Sequence, residues 1–416
     1  MIPVATLSTN PPQFIRAEVE LIREDLRRRK AVSTKDLGSP IEIPGKALAL
    51  QVRGDNAWIA ENDHLVRKLD LETGKSLQVF RGHTAPVTCL AFFDKVQGSG
   101  AGDILITGSW DKTIKLWDVR TKALISSTNA HTDFVKVLLV IPALRLLVSG
   151  GSDFVVRLWD LSAIQEGKPL PSVGSISSHT RPVEALDARA VTDSTAVLYT
   201  ADTMGIINVW DLTREDDDDS GGGVPPRWRS TLQDSLDHHR TRINAMVYGS
   251  GQLWTASSDD TVQVRLYPPS PGSQPRIPPI AHPTAVKALL PLALTPLAEP
   301  YLITGAGDAL RAYDVSELDE PELLGTVDGH WHDVTALQLW MRRIPAAVEG
   351  GRVRVEPWIV SASLDGTIRR WKLSELLHPP PPKPAEEKKV SATVQMSEEE
   401  ERELADLMDL MDSDSD

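Results

Sequence analysis

The stretch ILITGSWDKTIKLWD, residues 104–118, decides the reading of this chain. Ile104, Leu105 and Ile106 form an apolar, β-branched run. Ser109 to Lys112 is a tight polar turn, and Thr113 to Trp117 is a second apolar run. Such residues, punctuated this closely, favour a hairpin over a helix. The closing Leu116-Trp117-Asp118 returns as Leu158-Trp159-Asp160 and as Val209-Trp210-Asp211. Weaker copies on the same plan close at Leu69-Asp70, Leu266-Tyr267, Tyr313-Asp314 and Trp371-Lys372. A histidine opens six of them: His83, His131, His179, His238 or His239, His282 and His330. An apolar residue follows about four later, as at Val87, Val135, Val183, Val286 and Val334. The first copy has no such histidine and begins near Leu48. Seven copies result, their ends 42 to 58 residues apart. A period near 40 to 45 residues, stretched by loop insertions, is what a propeller with four strands per blade requires.

Over roughly residues 41–373 the chain resembles the WD40 repeat family. Gly82-His83 with Trp117-Asp118 is a specific signal, and its recurrence strengthens it. The resemblance implies an all-β, seven-bladed propeller in which a His, a Ser or Thr, an Asp and the Trp form a hydrogen-bonded network inside a blade. By position that network reads as complete twice, as His83, Ser109, Asp111 and Trp117, and as His330, Ser363, Asp365 and Trp371. Other copies depart from it. Gly151 stands where Ser is expected, Met204 where Asp is expected, and the fifth and sixth copies end in Tyr267 and Tyr313. Those blades are expected to be less firmly cross-linked. An open sheet edge invites aggregation; the family closes its ring with strands from both chain ends, and Ile41-Glu42-Ile43 is the N-terminal strand suited to that task.

Three segments follow: an N-terminal extension over 1–40, the propeller over 41–377, and a linker with tail over 378–416. Pro12 to Lys30 reads as an amphipathic helix, with Phe14, Ile15, Val19, Ile22 and Leu26 recurring every three to four residues and a basic run at its end. Packing of this helix on the propeller is the plain expectation; docking or dimerisation is the alternative. Glu215 to Gly223, acidic and then Gly-rich, and the Pro-rich Tyr267 to Ile280 read as surface insertions. Beyond the Pro379–Pro382 run, Leu404, Leu407, Met408 and Met411 sit among acids in a stretch suited to a short tethered helix.

The net charge of −14 is uneven: Glu386 to Asp416 holds twelve acidic residues against three basic ones. The acidity belongs to the tail, and a broad nucleic-acid surface, which needs a basic excess, is not indicated. The single cysteine, Cys89, precludes an intramolecular disulfide and suits the cytosol or nucleus. No secretory signal or membrane-length apolar run is seen. No CxxC, HExxH, GxSxG or phosphate-loop pattern occurs, so no enzyme activity, metal or cofactor is expected.

Function is therefore sought on the loops of a rigid disc. In the WD40 family the face carrying blade-entry loops and second-to-third strand turns is the usual contact surface. There the resemblance places Trp110, Phe134, Arg181, Arg240, Arg242 and Trp331, residue types that dominate interface energies. Met341 to Glu356, with Arg342, Arg343, Arg352 and Arg354, reads as a basic loop on the opposite face. The expected partners are other proteins, more than one, in a non-catalytic scaffold. Trp117-Asp118-Val119-Arg120 also fits the WDxR pattern of WD40 substrate receptors in cullin-RING ubiquitin ligases, where Arg120 would engage the adaptor. A role in ribosome assembly or RNA processing is the third reading.

Overall fold

The structure is a computed structural model that describes residues 13–379 except 97, 163, 216–226, 269–276 and 345–353. It contains seven four-stranded antiparallel sheets. Six are built from consecutive strands, and we number them blades 1 to 6, over 47–81, 87–129, 135–176, 183–236, 243–281 and 286–327. Blade 7 takes three strands from 334–372 and its fourth from Ile41–Glu42. The registers Ile41 to Ile368 and Glu42 to Thr367 close the ring, and the Ile43 amide adds a bond to the Gly366 carbonyl. The N-terminal strand expected to seal the seventh copy does so.

Burial explains the sequence pattern. The second strand of a blade, such as Ile104–Ser109, is buried at every residue because neighbouring blades cover both of its faces. The fourth strand, such as Leu124–Asn129, alternates towards solvent. Between blades 1 and 2, Trp58, Val66, Phe80, Leu90, Leu105 and Trp117 form one apolar layer. Each WD tryptophan thus packs against the preceding blade.

Every blade's first strand slips register just after its opening residue, for example between Val87 and Cys89 and between Val334 and Ala336. A bulge re-aims the extra residue, and here it points around the ring. Thr88 Oγ1 donates to the Val135 carbonyl (2.6 Å), Asn244 Nδ2 to that of Val286 (2.8 Å) and Thr335 Oγ1 to that of Ala47 (2.9 Å). At the same position Lys136 and Glu184 pair across blades 3 and 4 (3.5 Å), and Lys287 meets Asp333 of blade 7 (2.5 Å). Blade 1 has Leu48 there, and Gln51 Nε2 reaches the Leu90 carbonyl instead (3.3 Å).

The N-terminal helix α1 spans Gln13–Ser33. Of its expected apolar stripe, the side chains of Phe14, Ile15 and Val19 lie outside the described residues. Leu21, Ile22 and Leu26 are exposed, and attachment runs through its C-terminal end. Lys30 pairs with Asp308 (2.6 Å) and with Asp328, and the buried Arg369 guanidinium donates to the Thr34 and Leu37 carbonyls (2.6 and 2.5 Å). Basic side chains with carboxylates and backbone carbonyls, rather than apolar burial, fix this end. A short helix α2, Leu373–Leu377, caps the end of the propeller. The tail residues Leu404, Leu407, Met408 and Met411 lie outside the described residues.

The described ends of the expected basic loop, 341–344 and 354–356, are paired strand, and Arg352 lies outside the described residues. The strands Val334–Ile344 and Arg354–Ser363 stay paired out to Ile344 opposite Arg354. Arg342 is not free for a partner: it pairs with Glu72 of blade 1 and lies over the Trp340 and Trp358 rings.

Candidate protein-interaction face

The blades hold their loops by a directional chain of hydrogen bonds. In blade 2 the Asp111 carboxylate, an acceptor only, sits 2.8 Å from His83 Nδ1, which must therefore carry the proton. His83 Nε2 is then left to accept from the Thr107 hydroxyl (2.8 Å), and Thr107 Oγ1 in turn accepts from Trp117 Nε1 (2.9 Å). Gly82 precedes the histidine because a Cβ there would lie 2.9 Å from the Trp117 ring. Burial opposes ionisation of Asp111, but bonds from His83, Thr113 and the Thr84 amide outweigh it and hold its pKa well below the usual carboxylate range.

The structure corrects the hydroxyl in this network. It is Thr107, not Ser109, and in blade 7 it is Ser361, not Ser363. The tryptophan ring reaches back ten residues, into the middle of the adjacent strand. Ser109 and Ser363, at the strand end, instead donate to the Ala85 and His332 carbonyls (2.9 and 3.0 Å). His83, Asp111 and Trp117, like His330, Asp365 and Trp371, take their expected places.

The same shift completes two blades expected to be weak. Blade 3 joins His131, Ser149, Asp153 and Trp159, so Gly151 is no defect. Blade 4 joins His179, Thr200 and Trp210 with Asp202, which replaces the carboxylate missing at Met204 over a longer 3.3 Å contact. Blades 5 and 6 are incomplete, as expected. His239 meets both Thr255 (2.7 Å) and Asp259 (3.0 Å), whereas His238 reaches the same Thr255 hydroxyl at 3.3 Å and no carboxylate; Arg265, and not Tyr267, stands at the tryptophan position. In blade 6 His282 meets Thr304 (2.9 Å), the Tyr313 hydroxyl (3.3 Å) and the Ile280 carbonyl (3.1 Å), with no carboxylate.

These chains fix entry loops to turns in blades 2, 3, 5 and 7, where the Thr84, Thr132, Arg240 and Trp331 amides donate to Asp111, Asp153, Asp259 and Asp365. On that face the six expected contact residues do not form one patch. Trp110 of blade 2 and Phe134 of blade 3 stack with centroids 5.1 Å apart and planes 20° from parallel, yet remain 38% and 37% exposed. Arg181 is exposed in the next entry loop. Arg242 is bound to Glu184 (2.7 Å), and Arg240 leans on its own blade through Asp259. Trp331 stands apart on blade 7, half-buried in a groove that it shares with Arg23, Leu26 and Arg27 of α1. Phe154 and Met204 are also exposed, in the turns of blades 3 and 4. The repeat placed these two in turns, but nothing in their spacing singled them out as contacts.

Arg120 lies on the loop between the third and fourth strands of blade 2, exposed, where Asp118 caps the backbone of Arg120 and Thr121. Cys89 is buried, and burial pushes its thiol up to about 12, so it is a core residue without nucleophilic character. Among the described residues no three His, Cys, Asp or Glu side chains converge as a metal-binding group, and no helix is long and apolar enough to cross a membrane.

A closed ring of seven blades, five of them with His–Asp-braced loops, defines a β-propeller of the repeat-built kind. The WD domain, G-beta repeat family model matches residues 74–118 and 122–160. An uncharacterised WD repeat-containing protein of Schizosaccharomyces pombe is 25% identical over 378 residues, 88% of this chain and 90% of that one. The nuclear distribution protein PAC1 of Coccidioides posadasii is 30% identical over 213 residues, 46% of this chain; the match spans 41% of that relative's length. The crystal structure of the computationally designed Ika8 protein aligns with a TM-score of 0.52 at 24% identity, covering 79% of this chain and 83% of that one, a likeness of fold alone. The chain is similar to the WD40 repeat family in two matched repeats and in the seven-bladed fold that carries them.

Proposed function

We propose that this protein is a non-catalytic scaffold whose entry-loop face over blades 2 to 4 grips a partner protein. The observation that carries the reading is the exposed Trp110–Phe134 stack. Two aromatic rings from different blades sit in solvent against each other, braced by backbone bonds from the Trp110 amide to Pro86 and from the Ser152 amide to Phe134. Rigid exposed aromatics lose little entropy on binding and are common energetic anchors. Arg181, exposed in the next entry loop, offers a bidentate contact to a carboxylate. The test is recovery of partners from extract by the full chain and by a Trp110→Ala, Phe134→Ala variant whose fold is checked by circular dichroism. The reading expects at least one protein lost from the variant; an unchanged set removes this face from the proposal.

A second reading, an adaptor contact at Arg120, is favoured by that side chain's exposure on the WDxR loop. Arg120→Ala would then abolish recovery of a ligase adaptor while leaving the blade 2 to 4 partner in place.

A further inference from the structure

Helix α1 stands off from the propeller and leaves a groove of about 320 Å³ beside blades 6 and 7. Arg23, Leu26, Arg27 and Lys30 form its wall, at a spacing that puts all of them on one helix face. Thr284, Gly307, Trp331 and His332 form its floor. Among the described residues, the ties of α1 to the propeller lie at the Lys30 end, through Asp308 and Asp328, and just beyond it, through Arg369. From Lys30 to Arg23 the helix runs about 10 Å, room for about three residues of extended chain. Leu26 is 60% exposed and Trp331 is half-buried, so apolar surface lines a space that no described residue fills.

The charges around the groove say what enters it. Lys30 is matched by Asp308 and Asp328, and Lys287 by Asp333. The side chains of Arg23, Arg27 and Lys46 have no carboxylate partner among the described residues. Lys46 lines a second hollow that shares Trp331. The excess is felt at His332: burial holds its pKa below the ordinary value, the Arg27 charge adds to that, and Lys46 and Lys287 add to it against Asp333. Like charges four residues apart on a helix repel, and Arg23 and Arg27 are such a pair. A carboxylate set between them relieves the repulsion and accepts from both guanidinium forks. A nucleic-acid strand fits less well, because Asp308 and Asp333 line the same groove and would face its phosphates.

We propose that the groove between α1 and blades 6 and 7 takes an acidic peptide segment of a partner protein, with its carboxylates on Arg23 and Arg27 and an adjoining apolar side chain between Leu26 and Trp331. Lys46 extends the positive rim beyond Trp331. The site is separate from the Trp110–Phe134 stack of blades 2 and 3 and does not depend on it.

The test uses the full chain and a fluorescein-labelled peptide of about a dozen residues that repeats Glu-Leu-Glu-Ser, read by anisotropy up to about 1 mM, a span suited to a weak contact. The expected result is saturable binding, weakened about tenfold or more by Arg23→Glu with Arg27→Glu and several-fold by Leu26→Ser. Arg23→Lys with Arg27→Lys, which keeps the charge and loses the forks, should lie between. The doubly reversed variant should prefer the peptide with Lys in place of Glu. A Trp110→Ala, Phe134→Ala variant should bind as the unmodified chain does, which keeps this site distinct from the face over blades 2 to 4. A benzophenone on the peptide should crosslink to residues 20–33 or 331–333. Absence of binding, binding unmoved by the double reversal, crosslinks elsewhere, or polyglutamate or an oligouridylate of equal length binding as well as the peptide would overturn the proposal. Circular dichroism and thermal midpoints show that the propeller of each variant is intact.

Discussion

Lys30 Nζ lies 2.6 Å from Asp308 Oδ2, and Asp308 occupies the position that supplies the network carboxylate in blades 2, 3, 5 and 7. It falls four residues after the hydroxyl of Thr304, as Asp111 falls after Thr107. In blade 6 this carboxylate turns outward to the N-terminal helix, and His282 makes do with a backbone carbonyl. One residue has changed from bracing its own blade to anchoring α1.

That exchange predicts a separable role for the contact. Lys30→Ala should loosen α1 and leave the propeller standing, because an exposed ion pair contributes only about 0.5–1 kcal/mol. Trypsin should cut at Arg27, Arg28 and Arg29 several-fold faster in the variant, with an unchanged thermal midpoint. Raising salt on the unmodified protein should mimic the change. Equal cleavage of both proteins would show that Arg369, through the Thr34 and Leu37 carbonyls, holds the segment by itself.

The second prediction separates the two hydroxyls of blade 2. Thr107→Val keeps the shape but strands Trp117 Nε1 and His83 Nε2 in a buried site, and unmade buried bonds cost about 1–3 kcal/mol. Ser109→Ala should cost nearer 1 kcal/mol, since it removes a single bond to the Ala85 carbonyl and the Asp111 amide's acceptor at the edge of the turn. Urea denaturation of the two variants gives the comparison, and equal losses would contradict a network centred on Thr107.

The blade count, the strand that closes the ring and the histidine positions were legible because each rests on local chemistry: β-branched runs, tight turns, a Gly-His step and a Trp at the end. The hydroxyl was not. Thr107 and Ser109 lie on one face of one strand two residues apart, and only the reach of the Trp117 ring chooses between them. Asp202 standing in for Met204 escaped notice for the same reason. The contact face was half legible. Trp110 and Phe134 were marked singly by residue type, but their stack needs the register between blades 2 and 3. Arg242 looked available in sequence, and Glu184, 58 residues away in the chain, had already claimed it.

That claim is testable. Glu184 receives Arg242 at 2.7 Å and Lys136 at 3.5 Å, and its side chain is nearly buried between these side chains of blades 3 and 5. Glu184→Ala leaves two cations facing each other. A fully buried pair broken on one side costs about 3–5 kcal/mol, and the partial exposure of Arg242 lowers the expected loss to about 1–2 kcal/mol. Restoring part of that loss with an added Arg242→Ala change would establish that repulsion is the cause. An additive double variant would leave the ring of bulge residues without an energetic role here.

The last prediction concerns acid. Burial pushes the His282 pKa down to about 4; the Ile280 carbonyl pulls it back only in part, and Arg311 lowers it further. The unfolded chain carries an ordinary histidine near pH 6.5. Between those values the unfolded state binds a proton that the folded state refuses, so stability falls as pH drops from about 6.5 to about 4 and is flat below that for this group. The full effect is on the order of 3 kcal/mol, with a slope of about 1.4 kcal/mol per pH unit at most. His238, pushed down to about 3 by burial and by the neighbouring His239 charge, acts in the same direction. Asp187 opposes them. Burial raises its carboxyl to about 6 against the amide bonds from Tyr248 and Ala188, so it adds stability as pH falls from about 6 to its unfolded value. Comparing the protein with a His282→Gln variant cancels the other groups. The variant should be less stable at pH 7.5, because its fit to Thr304 and Tyr313 is poorer, yet lose less on going to pH 4.5. Urea midpoints across that range measure it, and parallel curves for the two proteins would show that His282 does not titrate with unfolding.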